Sequence, residues 1–231
     1  MFAEEKVLKT FDYVKLLFKP LFTPENLWKK HKNGRVYPFG FHKEKRKINE
    51  IILHYTAGSR SSSGCSSGFK STWKSLWDKT DKPKEVSADF AVDDEVVTQY
   101  NPNLDHYHSF STSNDKNGIS IEMCSSYNKT LSDLEFKKTP PNAPQWYFSD
   151  KVLENTKNLI LSIFNTYPDV DFIITTHYEK TGKLCPGIKG WNNGVWHNEF
   201  GKTDGTNNTD VLEQFKKEIF EEWELIKNKK D

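Results

Sequence analysis

The sequence lacks any long hydrophobic run. None approaches the roughly 18 apolar residues that cross a bilayer, the nearest being the short stretch from Leu159 to Phe164, so no membrane insertion is expected. It also lacks a charge bias: 33 Lys and Arg face 32 Asp and Glu, which gives neither the positive field that would argue for nucleic acid nor the acidic excess of a solvating tail. Cysteine is scarce. Cys65, Cys124 and Cys185 are odd in number and follow no framework spacing, so a disulfide-stapled secreted scaffold is not expected, and at least one thiol must be free or bound to something. An export signal is missing as well. The stretch MFAEEKVLKTFDYVKLLFKP puts acidic side chains where a signal peptide carries basic ones, and Lys15 and Lys19 interrupt its apolar run. The expectation is a chain synthesised into the cytoplasm that stays there unless something else releases it.

What is present suffices for one core. The 231 residues, 35% hydrophobic and 14% aromatic, fit a single domain of ordinary size with an extension. Residues 1–47 read as that N-terminal extension, because two short amphipathic pieces are broken by Pro20, Pro24 and Gly34 and end in the basic run HKEKRK. Residues 48–231 read as the domain proper. Ile51, Ile52 and Leu53 form an apolar run ending in His54, followed by the turn-rich TAGSRSSSGCSSG, so a buried strand feeding a long loop is expected. Phe69, Trp73, Leu76 and Trp77 share helical spacing within 69–79, and 86–100 reads as two strands joined at Asp93-Asp94.

Between 118 and 124, Ile119, Ile121 and Met123 alternate with Ser120, Glu122 and Cys124, which sends Glu122 to the face opposite the core. Val152, Leu153, Thr156, Leu159, Ile160 and Ile163 recur at three-four spacing and stop before Pro168, predicting a core-packed helix over 150–167. A strand over 171–176 delivers His177, a glycine-marked loop region runs over 178–208, and a last helix covers 210 to about 227. Strands interleaved with helices define an α/β fold, a central mixed β-sheet flanked by helices.

Three residues then invite a metal. A catalytic zinc site takes three ligands from His, Cys and carboxylates and leaves a fourth position open. His54 follows IIL, His177 follows IITT, and Cys185 lies in the return loop HYEKTGKLC, so two strand ends and one loop can converge where α/β proteins place their chemistry. Spacing alone leaves open that each of the three packs or hydrogen-bonds separately.

The segments IILHYTAG, VSADFAVDDEVVTQY, HYHSF, NGISIEMC and THYEKTGKLCPG resemble, in order and spacing, the zinc amidases related to phage lysozyme-type amidases and peptidoglycan-recognition proteins. The resemblance runs over about 47–197. It implies that His54, His177 and Cys185 are zinc ligands in a single catalytic domain over 48–231. It further implies N-acetylmuramoyl-L-alanine amidase activity, with bacterial peptidoglycan as the partner.

Amide hydrolysis needs an activated water, stabilisation of the carbonyl oxygen and a proton for the leaving nitrogen. The resemblance assigns Glu122 as general base and then acid, Lys183 as the cation that steadies the oxyanion, and His108 as a substrate contact. The chain departs from the family at Ala88, where other relatives carry a catalytic Tyr, and at Asp89, where they often carry His. Cys65 and Cys124 match no ligand position and read as structural or incidental, while KGWNNGVWHNEF offers a possible cleft wall. A monomeric endolysin is expected. A cytoplasmic muropeptide-recycling amidase, a non-catalytic peptidoglycan-binding module and a scaffold holding structural zinc are the competing readings; the presence of Cys185 argues against the binding module, and three ligands rather than four argue against the scaffold.

Overall fold

The computed structural model describes residues 19–20, 29–30, 36–37, 41–56, 65–66, 88–101, 104–108, 117–127, 146–181, 185 and 210–228. In chain order these form β1 (Lys19–Pro20), β2 (Lys29–Lys30), β3 (Val36–Tyr37), β4 (Phe41–Lys45), β5 (Glu50–Tyr55), β6 (Phe90–Val92), β7 (Val97–Gln99), β8 (His106–His108), β9 (Gly118–Met123), β10 (Ser126–Tyr127), β11 (Trp146–Tyr147), α1 (Asp150–Thr166), β12 (Ile173–Thr176), α2 (His177–Thr181) and α3 (Asp210–Lys227). Six strands make the central sheet in the order β1-β7-β6-β9-β5-β12. It is mixed: β6 and β7 run antiparallel, while β5 is parallel to both β9 and β12. The alternation expected for an α/β domain is thus realised.

Pleat parity decides what each face carries. Ile51, Leu53 and Tyr55 of β5, Phe90 and Val92 of β6, and Ile119, Ile121 and Met123 of β9 join one buried cluster with Val152, Leu159, Ile160, Ile163 and Phe164 of α1. Alternate residues of the same strands, among them His54, Ser120 and Glu122, lie outside that cluster. Register places His54 beside Glu122, and Glu122 beside Ala91.

α1 begins where Ser149 caps it, its Oγ accepting from the Val152 N–H at 3.3 Å, an arrangement that satisfies one of the unpaired donors of a first turn. It ends before Pro168, which cannot continue a helix. α3 buries Leu212, Phe215, Ile219, Trp223 and Ile226, an i, i+3/i+4 stripe. Phe164 stacks on Phe172 and Phe220 at 4.8 and 5.8 Å between ring centroids, locking helix to helix.

The other face is held by a buried ion pair. Arg46 reaches both carboxylate oxygens of Asp89, at 3.2 and 3.0 Å, and donates to the Leu104 and Gly118 carbonyls at 2.6 Å each. Asp89 also accepts from the Ser120 N–H at 2.9 Å and from Asn101 Nδ2 at 2.5 Å. With its lone pairs occupied, the carboxylate meets the condition under which a buried charge is tolerated. The basic run HKEKRK is therefore partly strand and partly interior, since β4 pairs with β8 and Arg46 is buried.

Several elements differ from expectation. The strand leading to His177 spans Ile173–Thr176 rather than 171–176. The loop expected from 178 begins instead with α2. Residues 1–47 contribute short strands, and β1 extends the central sheet beside β7. The helix expected over 69–79 and the segment KGWNNGVWHNEF lie outside the described residues.

Candidate metal centre

Each member of the centre is positioned by a local rule. His54 sits one residue from the end of β5, buried between two parallel neighbours. His177 is the first residue of α2, and a reciprocal cap fixes that turn. The Glu179 N–H donates to Thr176 Oγ1 at 3.2 Å, and the Thr176 N–H donates to Glu179 Oε2 at 2.6 Å. This is the S/T-x-x-E capping box, written in the sequence as Thr-His-Tyr-Glu. Cys185 is brought back by the Tyr178 N–H, which donates to the Cys185 carbonyl at 2.8 Å.

The result is a cluster. One donor atom from each of His54, His177 and Cys185 lies within 4.8 Å of the others. The imidazole centroids are 4.6 Å apart, tilted by 49°, and Cys185 Sγ stands 3.7 Å from His54 Nδ1. Burial, and secondarily the neighbouring His177, lowers the His54 pKa to about 3. Its ring is therefore neutral and keeps a lone pair, the form a metal binds. His54 Nε2 is buried without a hydrogen-bond partner, a cost of roughly 1–3 kcal/mol for a polar atom left unsatisfied.

Glu122 lies beside His54 on the adjacent strand, partly buried. Burial pushes its carboxyl up to about 8, so without a nearby cation it holds its proton at neutral pH. Tyr55 was not anticipated as part of this neighbourhood. Its hydroxyl is pushed above the usual phenol range by burial and then by the charges of Cys185 and Glu122. The adjacent letters His54-Tyr55 were the available signal. α2 is anchored from two further directions: Lys180 Nζ binds Glu50 Oε2 at 2.7 Å, and Lys216 of α3 binds Glu179 at 3.2 Å.

Lys183 lies outside the described residues. His108 ends β8, a strand paired with β4 outside the central sheet. Ala88 is fully buried, and Asp89 is occupied by Arg46. Cys65 and Cys124 are joined as a disulfide across 59 residues of sequence. Of the two readings, structural or incidental, the pairing selects the structural one, and the parallel pairing of β5 with β9 brings Thr56 and Cys124 to the same sheet end. Cys185 takes part in no disulfide.

Fold and cluster together define a class: an α/β protein with a candidate three-ligand metal centre at the C-terminal ends of parallel strands. A family model described as N-acetylmuramoyl-L-alanine amidase matches residues 44–188. The chain therefore belongs to that family and is a peptidoglycan amidase. Among solved structures it is similar to a mutant endolysin from Bacillus subtilis, with 17% identity, 79% of this chain and 89% of that one covered, and a TM-score of 0.45. It is likewise similar to the Drosophila peptidoglycan recognition protein SA, with 16% identity, 67% and 81% covered, and a TM-score of 0.46. An N-acetylmuramoyl-L-alanine amidase from Clostridium intestinale matches at 12% identity, 65% and 85% covered, and a TM-score of 0.42. No curated protein sequence matches the chain.

Proposed function

We propose that this amidase is zinc-dependent, that it cleaves the bond between N-acetylmuramic acid and L-Ala, and that it acts on the intact wall as a phage-type endolysin. The observation that carries the reading is the convergence of His54, His177 and Cys185 within 4.8 Å, with Glu122 in register beside His54. The donor set suits zinc. Zn–S near 2.3 Å and Zn–N near 2.05 Å at a tetrahedral angle set sulfur and nitrogen roughly 3.6 Å apart, and the separation between Cys185 Sγ and His54 Nδ1 is 3.7 Å. Bound there by these three residues, zinc would supply Lewis acidity and lower the pKa of water.

The chain's own groups do the rest. A Glu122 carboxylate oxygen takes the proton of the attacking water and returns it to the departing nitrogen, a role that suits a carboxyl whose affinity for protons is raised. Lys183 is proposed to face the developing oxyanion, and His108 to touch substrate. The α2 cap fixes the backbone turn that carries His177. The division into an extension of 1–47 and a zinc amidase domain of 48–231, and a monomeric state, belong to the same proposal.

The test is digestion of purified sacculi with metal content measured in parallel. New L-Ala amino termini without new reducing ends are expected, together with about one zinc per chain. Unchanged sacculi with zinc bound would sink the reading. Comparing rates on sacculi and on soluble muropeptides separates a wall enzyme from a recycling one.

A further inference from the structure

The Cys65–Cys124 disulfide joins two exits that matter to the site. Cys124 directly follows β9, the strand of Glu122, and Cys65 comes after β5, the strand of His54, in the chain. Other contacts tighten the same place. Ser125 donates from Oγ to the Thr56 carbonyl at 2.6 Å and from its N–H to Thr56 Oγ1 at 3.2 Å, and that hydroxyl lies 3.7 Å from Cys65 Sγ. The neighbouring Ser66 is held without help from sulfur. Its N–H and Oγ donate to Asp93 Oδ2 at 3.0 and 2.7 Å, and its carbonyl accepts from the Tyr100 hydroxyl at 2.5 Å.

We propose that this disulfide is a redox gate on the metal centre: closed in an oxidising medium, where it locks the exits of β5 and β9, and open in a thiol-rich cytoplasm. Closure consumes one low-molecular-weight disulfide as oxidant. Two cysteine thiols give up two protons and two electrons, one protein disulfide forms, and the small disulfide is released as two thiols. The Ser66 bonds to Asp93 and Tyr100 do not involve sulfur, so reclosure is expected to be intramolecular. The gate would match the finished enzyme to the compartment of its polymer, a biological sense that rests on the wall-directed reading above.

The experiment equilibrates the zinc-loaded full chain in oxidised or reduced glutathione, then measures alkylatable thiols after denaturation, Tm, zinc content and amidase rate. Oxidised protein is expected to show one thiol and reduced protein three. Reduction should lower Tm by about 10 °C, the scale set by a long closed loop in a chain of this size, and lower the rate several-fold with zinc retained. C65S/C124S should behave like reduced protein in both buffers. Three thiols under oxidising conditions would overturn the gate, as would equal Tm and rate in the two states. A loss that recurs on reducing C65S/C124S, or that tracks loss of zinc, would also overturn it, since the reagent would then be acting at Cys185. Should C65S/C124S not fold, wild-type protein compared in the two buffers at equal zinc content decides the matter. If neither state cleaves sacculi, the wall-directed reading fails and the rate is read on soluble muropeptides, where a several-fold difference between the two states supports the gate and equal rates overturn it.

Discussion

The two faces of the central sheet are built from the same strands and do opposite work. On the helix-covered face, Ile51, Leu53, Ile119, Ile121 and Met123 are each fully buried and belong to the apolar cluster with residues of α1 and α3. On the other face the intervening positions hold His54, Ser120 and Glu122, with Asp89 and Arg46 paired nearby. The comparison teaches that the site depends on a rigid backing. A candidate ligand one residue from a fully buried leucine, as His54 is from Leu53, cannot drift without disturbing packed side chains.

The sharpest way to break the comparison is on the reactive face. Cys185→Ser should abolish zinc retention and reduce amidase activity to background, with the fold intact by circular dichroism; retained zinc and activity would remove Cys185 from the ligand set. Glu122→Gln should keep zinc and lower kcat by about 10²–10⁴-fold, the range of a lost general acid-base group, as read in product release from sacculi. On the opposite face, Leu159→Ala should cost about 2–5 kcal/mol of stability while the rate per folded molecule changes little. If denaturant unfolding shows a small loss and the rate collapses instead, the division of labour between faces is wrong.

Glu179→Ala sits between the two. It removes half of the α2 capping box and the Lys216 contact, so a stability loss of about 1 kcal/mol is expected. Zinc affinity should weaken by roughly 10-fold, as for other residues that orient a ligand, and competition with a chelator would measure it. The smallest expected effect is in pH. Folding raises the Glu122 pKa from 4.5 to about 8 in the metal-free protein. The unfolded carboxyl therefore ionises first, and wild type loses stability relative to Glu122→Gln as pH climbs from 4.5 through 8. The Tm gap between the two metal-free proteins should be near zero at pH 4 and widen toward pH 9. A gap independent of pH would show that Glu122 is not desolvated in the folded protein.

The parts legible in the sequence were those set by local periodicity. Alternation over 118–124 located the Glu122 face, three-four spacing and Pro168 bounded α1, and apolar runs ending in His marked β5 and β12. What escaped depends on topology or on a short signal. The disulfide and the Arg46–Asp89 pair require knowing that β9 lies between β5 and β6, which no spacing reveals. α2 escaped because the glycine and proline markers beyond it suggested loop, although Thr176 and Glu179 already spelled its cap. Arg46 was hidden inside a basic run whose composition resembles solvated surface.

The strand order has a consequence for the timing of synthesis. Among the described residues β12 is the edge strand beside β5, and His177 and Cys185 follow it in the chain, far beyond His54. On the proposed ligand set, a chain made only as far as residue 170 would carry His54 and Glu122 but neither His177 nor Cys185. On that proposal the three candidate donors come together only once Cys185 has been made.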